Sequence, residues 1–203
     1  MGFVGTWVQV SQQHLDGILS HGEWTPQALE QALVERGASP QEAGELVHGY
    51  DDGPQWNSAL ARLALVKAFA VEKAFPGYRA NLGLVAEVVP GAAPLLEWTM
   101  RKRPVVPLSA PWKATDVVGF DVVAKADDVR AVAKALAPYR DRAVCRELAR
   151  AQAGWLPEAL SPRRQALRLW VESENHWIAW LATLDALDAV AASSNDYLGF
   201  ETA

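Results

Sequence analysis

Apolar and polar positions alternate over residues 3–10 (FVGTWVQV), which predicts a strand at the start of the chain. Ser11 follows as the cap of a short helix carrying Leu15, Ile18 and Leu19. Thr25-Pro26 is a helix start, with threonine at the cap and proline in the first turn. That helix runs to about Arg36 and stops at Gly37. Ser39-Pro40-Gln41-Glu42 repeats the device as a capping box. Residues 21–49 therefore read as a helical hairpin inserted behind the first strand and helix.

Tyr50 to Pro54 reads as a turn. Trp56, Leu60, Leu63, Val66, Ala70 and Ala74 then recur at helical spacing, which predicts a helix over about 55–75, ended by Pro76-Gly77. Residues 82–89 fit strand or helix, 94–103 a short helix and 104–114 a proline-rich loop. Residues 116–124 (DVVGFDVVA) are rich in β-branched residues and predict a strand. Asp127 is expected to cap the next helix, with Val129, Val132, Ala133 and Leu136 facing inward. A further helix covers about 141–153, and Ser161-Pro162 opens the longest one, to about Ala192. Tyr197-Leu198-Gly199-Phe200 reads as an edge or terminal strand. Strands this dispersed must pair with each other to satisfy their backbone groups. The pattern defines a mainly helical α+β fold, a small antiparallel or mixed sheet covered on one side by helices, with residues 1–203 forming one domain.

On the last helix, Leu167, Trp170, Val171, Glu174, Trp177, Ile178 and Leu181 share one face, a buried stripe. Leu169, Trp180 and Leu187, with His176 among them, make a second. Either the helix lies centrally or the second stripe is a partner-binding surface that includes Trp180. Glu174 on the buried stripe requires a partner, and Arg146 or Arg150 is the expected one. Of nine tryptophans, Trp7, Trp56, Trp170 and Trp177 fall at core positions. Trp24, Trp98, Trp112 and Trp155 lie near element ends, where aromatic rings pack locally or line a cleft.

Charge and composition narrow the functional classes. The net charge is −5, and the basic runs are Arg101-Lys102-Arg103 and Arg163-Arg164, which argues against nucleic acid as a partner. The longest apolar stretch, Ala59 to Phe75, is interrupted by charge, and the opening lacks a secretory signal pattern, so no membrane association is expected. The single cysteine, Cys145, excludes an intrachain disulfide and suits a reducing, cytoplasmic setting. Its neighbours Arg142 and Arg146 would lower its pKa if it were accessible, whereas a small half-buried helix residue is the plainer expectation.

No nucleotide, metal or nucleophile motif is present among the four histidines and the glycines, so neither cofactor nor metal is expected. The densest polar cluster is His48-Gly49-Tyr50-Asp51-Asp52-Gly53. It reads as a turn between helices or as a small site, with Trp56 close in sequence. Glu172 and His176 stand four apart, the spacing at which a carboxylate orients an imidazole and also that of an ordinary surface pair.

Three blocks carry a resemblance to a known family: MGFVGTWVQVSQQHLDGIL at the start, Asp52-Gly-Pro-Gln-Trp56-Asn-Ser-Ala-Leu60, and Val118-Gly-Phe-Asp-Val through Leu136. Together they resemble the opening strand and helix, a helix start, and a strand–helix unit of the YfbM-like bacterial proteins of unknown function. The resemblance implies a similar α+β fold and no established activity.

The function expected on these grounds is a non-enzymatic protein-binding module of a bacterial cytoplasm, whose partner is another protein or a second copy of the chain. The alternative is a small-molecule binder or small enzyme with a cleft between the hairpin and the sheet. Its candidate residues are His48, Tyr50, Asp51, Trp56, Glu174 and His176.

Overall fold

The alternation that opens the chain folds as strand β1 (Gly5–Val10), the seam of the molecule. In this computed structural model, described over residues 5–20, 25–49, 59, 62–71, 78–100, 121–155 and 161–202, β1 pairs antiparallel with β2 (Leu65–Val71) on one side and β4 (Tyr197–Thr202) on the other. With β3 (Asp121–Lys125) outside β4, the order is β2-β1-β4-β3, antiparallel throughout. The last strand is thus interior rather than an edge, and it joins the two ends of the sequence.

Because strand side chains alternate, β1 feeds two cores. Trp7 packs on Phe200 with ring centroids 4.6 Å apart, in a cluster with Phe69 and Leu198. Val8, Val10 and Tyr197 enter a separate cluster on the other face. That second face is covered by α1 (Gln12–Ser20) and by the hairpin α2 (Pro26–Glu35) and α3 (Pro40–His48), which bury Leu15, Leu29, Leu33 and Val47. Each of these large aliphatic side chains contributes about 1.5–3 kcal/mol by leaving water. Helices therefore cover both faces, not one. The hairpin forms where its caps predict: Thr25 Oγ1 accepts from the Ala28 amide at 3.2 Å and Ser39 Oγ from the Glu42 amide at 3.1 Å. Gly37 reverses the chain between them at φ 93°, a conformation that favours glycine.

The first face is covered by α4 (Tyr78–Val88), α5 (Ala93–Met100), α6 (Ala126–Leu136), α7 (Arg142–Trp155), α8 (Ser161–Glu172) and α9 (Glu174–Ala192). Gly91, between α4 and α5, has φ 87°, and a Cβ there would lie 2.6 Å from that of Ala135. Only a glycine lets this corner close on α6. Asp127 does not cap α6; it lies in the first turn and pairs with Arg130, while Lys125 occupies the cap position.

Two helix predictions are corrected. Within 55–75, residues 65–71 are β2, because a Val- and Phe-containing segment completes the ladder along β1, from Gly5↔Val71 to Val10↔Leu65. Residues 62–64 are helical, and 55–58 lie outside the described residues. The longest helix is two, broken at Ser173, whose backbone is extended (φ −76°, ψ 127°). Arg142 holds the break open. Its guanidinium donates to the Val171 carbonyl at 2.8 Å and the Glu172 carbonyl at 3.2 Å, satisfying the end of α8. It also pairs with Glu174 at 2.8 Å and lies over the Trp177 ring at 5.4 Å. The start of α7 thus sits at the end of α8, and the two helices run antiparallel.

The last helix does lie centrally, but the later helices pack around it and the N-terminal helices lie across the sheet. Trp177, Ala179, Trp180, Thr183, Leu184, Ala186, Leu187 and Val190 are buried between the sheet and the other helices, whereas Ile178 is 54% exposed. Trp7 Nε1 donates to Thr183 Oγ1 at 3.1 Å, locking α9 to β1.

Candidate functional site

The residues singled out in the sequence divide between scaffolding and surface. Tyr50, Asp51 and Trp56 lie outside the described residues. His48, at the end of α3, is exposed and pairs with Glu30 of α2, a link internal to the hairpin. Glu174 is not buried. Its side chain is 68% exposed in the first turn of α9 and its partner is Arg142, not Arg146 or Arg150.

His176 does not pair with Glu172, which the break at Ser173 sends to Arg168 instead. His176 Nδ1 lies 2.9 Å from Ser173 Oγ, and burial lowers its pKa. Trp180 is no partner surface. It is buried, stands edge-on to Trp170 at 5.6 Å, and donates its indole N–H to the Tyr139 carbonyl at 2.9 Å. Cys145 donates to the same carbonyl at 3.3 Å, and burial pushes its thiol up to about 12, opposite to the lowering its arginine neighbours suggested.

The structure assembles a different constellation. Arg146 and Arg150 stand one turn apart on α7, and Arg164 and Arg168 one turn apart on α8. At an i,i+4 spacing each pair projects on one side of its helix, and the antiparallel packing makes them opposite walls of a cleft of about 470 Å³. Ala149 and Val171 give it an apolar floor, and Gln165 and Glu172 complete the lining.

Glu172 neutralises Arg168, whose pKa it raises by hydrogen bonding. Among the described residues, the other three guanidiniums have neither a hydrogen-bonding acceptor nor an ion-pair partner, and Arg164 Nε is buried without one. Five fixed N–H donors and a permanent charge per side chain have the chemistry that oxyanions complement. Sequence reading missed it because it sought contiguous basic runs. The available signal was the repeated Arg-x-x-x-Arg spacing at 146/150 and 164/168.

A second hollow, of about 350 Å³, lies beside the hairpin, where a cleft was expected, but other residues line it: His14, Leu33, Arg36, Ala38, Arg62, Leu65 and Val66. Its cations are engaged internally. Arg36 donates to the Leu63 carbonyl at 3.1 Å and to His14 Nδ1 at 2.8 Å, and Arg62 is 3.7 Å from Glu42. A guanidinium only donates, so this bond fixes His14 as a neutral imidazole with Nδ1 accepting.

Among the described residues, no group of three or more His, Cys, Asp or Glu is placed to hold a metal ion, and no helix is long and apolar enough to cross a membrane. No protein-family model, no curated protein and no solved structure matches the chain.

Proposed function

We propose that the protein is a non-enzymatic binding module whose working surface is the α7–α8 cleft, engaged by an anionic group of its partner. The observation that carries this reading is three guanidiniums lining one cleft with no acceptor among the described residues. Collecting like charges on two facing helices works against folding, since like-charge pairs at i,i+4 cost a few tenths of a kcal/mol each. An anionic ligand would offset that cost. The reading is of binding rather than catalysis because guanidiniums neither exchange protons at physiological pH nor act as nucleophiles, and the neighbouring thiol of Cys145 is held protonated.

Thermal unfolding in the presence of a panel of carboxylate and phosphoryl anions tests the reading. An anion present at a hundred times its Kd stabilises the fold by about 2.7 kcal/mol, or roughly 5–10 °C for a chain of this size. The rise should shrink with added salt and vanish in the Arg146→Glu/Arg150→Glu double variant. A stabilisation that survives this double reversal removes the cleft from consideration.

A further inference from the structure

We infer that the group held in the α7–α8 cleft is the phosphoryl moiety of a small molecule, an assignment that rests on the reading of that cleft as the binding surface. Charge counting is the first argument. Among the described residues, four guanidiniums line the cleft and Glu172 offsets one, leaving three positive charges. A carboxylate carries one negative charge, whereas a phosphate monoester carries about 1.5–2 at neutral pH and a diphosphate more.

Shape is the second. A carboxylate presents two oxygens in one plane and is satisfied by a single arginine fork. A phosphoryl group presents three oxygens in different directions and can accept from both walls together, from Arg146 and Arg150 on α7 and from Arg164 on α8.

Size and lining are the third argument. About 470 Å³ is in the range of small-ligand sites rather than extended protein interfaces, and the Ala149 and Val171 floor offers apolar surface to the uncharged part of such a molecule. Glu172 adds selectivity, because a carboxylate already in the cleft repels weakly bound monoanions and yields only to a ligand whose charge outweighs its own.

Isothermal titration at about 50 mM salt, with pyrophosphate as the probe and citrate and acetate as comparators, decides the matter. Pyrophosphate is expected to bind at least about tenfold tighter than citrate, and acetate not measurably. Arg150→Gln and Arg164→Gln should each weaken pyrophosphate about tenfold, the loss of one charge-assisted hydrogen bond. Lys134→Gln, on the exposed side of α6, should leave it unchanged. Thermal unfolding of each variant verifies that the fold is intact.

Citrate binding as tightly as pyrophosphate overturns the phosphoryl assignment and leaves the cleft reading standing. Binding of neither, or binding that survives both arginine variants, removes the cleft reading itself. A peptide carrying phosphoserine that outcompetes pyrophosphate overturns the small-molecule assignment and moves the same chemistry to a protein partner.

Discussion

Two arginine-lined hollows among the described residues are built on opposite principles. Beside the hairpin, Arg36 is fastened to the Leu63 carbonyl and to His14, and Arg62 faces Glu42, so the charges there hold α1, α2 and the approach to β2 together. Between α7 and α8, the guanidiniums at 146, 150 and 164 pair with none of the described residues. The walls of that cleft are fixed from below, by Trp180 and Cys145 converging on the Tyr139 carbonyl and by Arg142 bridging α7 to the end of α8. One hollow spends its cations on the fold. The other is held rigid by neighbouring groups and leaves its cations available, an arrangement suited to binding without reorganisation.

The sharpest way to break this contrast is to remove the support beneath the cleft. Trp180→Ala deletes a buried indole and its hydrogen bond, and is expected to cost about 3–5 kcal/mol. Trp180→Phe keeps most of the volume and is expected to cost about 1–2 kcal/mol, the bond alone. Urea unfolding of both variants measures this. A cost for Trp180→Ala below about 1 kcal/mol would show that the α7–α9 junction does not depend on this ring.

Arg142 comes next. Arg142→Ala leaves two carbonyls at the end of α8 and Glu174 without their donor, and about 2–3 kcal/mol of stability should go with it. That is a fall in Tm of roughly 4–12 °C. Arg142→Lys restores the charge but not the three-pronged geometry, and is expected to recover less than half. Equal stability of the Lys variant and the parent would reduce Arg142 to a simple charge.

Much of this architecture is written locally. Thr25-Pro26 and Ser39-Pro40 carry their caps within four residues, so the hairpin is legible from sequence alone. Residues 65–71 are not, because their apolar spacing fits a helix until β1 offers a ladder partner some 60 residues earlier in the chain. The break at Ser173 is hidden for the same reason. Neither glycine nor proline marks it, and the group that stabilises it, Arg142, is 31 positions away. Glu174 falls on a buried stripe only if an unbroken helix runs through Ser173, and the break there turns it outward. The arginine cleft needs two helices to become one site, and each contributes only a pair of surface residues when read by itself.

A direct comparison of the two hollows uses one arginine from each. Arg36→Ala breaks two hydrogen bonds and should cost about 1 kcal/mol. Arg150→Ala breaks none within the described residues and should change stability by less than about 0.5 kcal/mol in either direction, with any gain largest at low salt. Paired urea titrations of the two variants in the same buffer supply the measurement. If Arg150→Ala proved the more damaging, its guanidinium would belong to the scaffold and the distinction between the hollows would collapse.

The smallest effect separates the hollows by pH. His14 lies in the hairpin hollow, and burial, followed by the charge of Arg36, lowers its pKa; burial alone does the same for His176 at the start of α9. A histidine whose folded pKa lies below its unfolded value of about 6.5 binds fewer protons when folded. Its contribution is therefore intact above about pH 6.5 and is lost as the pH falls from there through the lower folded value. Unfolding free energy should decline between pH 7 and pH 5, and the decline should flatten in His14→Asn and again in His14→Asn/His176→Asn. The guanidiniums of the α7–α8 cleft keep their charge throughout that interval. Pyrophosphate binding measured over the same range should then follow only the ligand's own protonation and be indifferent to both histidine substitutions. A shift in the pH profile of anion binding in His14→Asn alone would mean that the two hollows are coupled through the sheet.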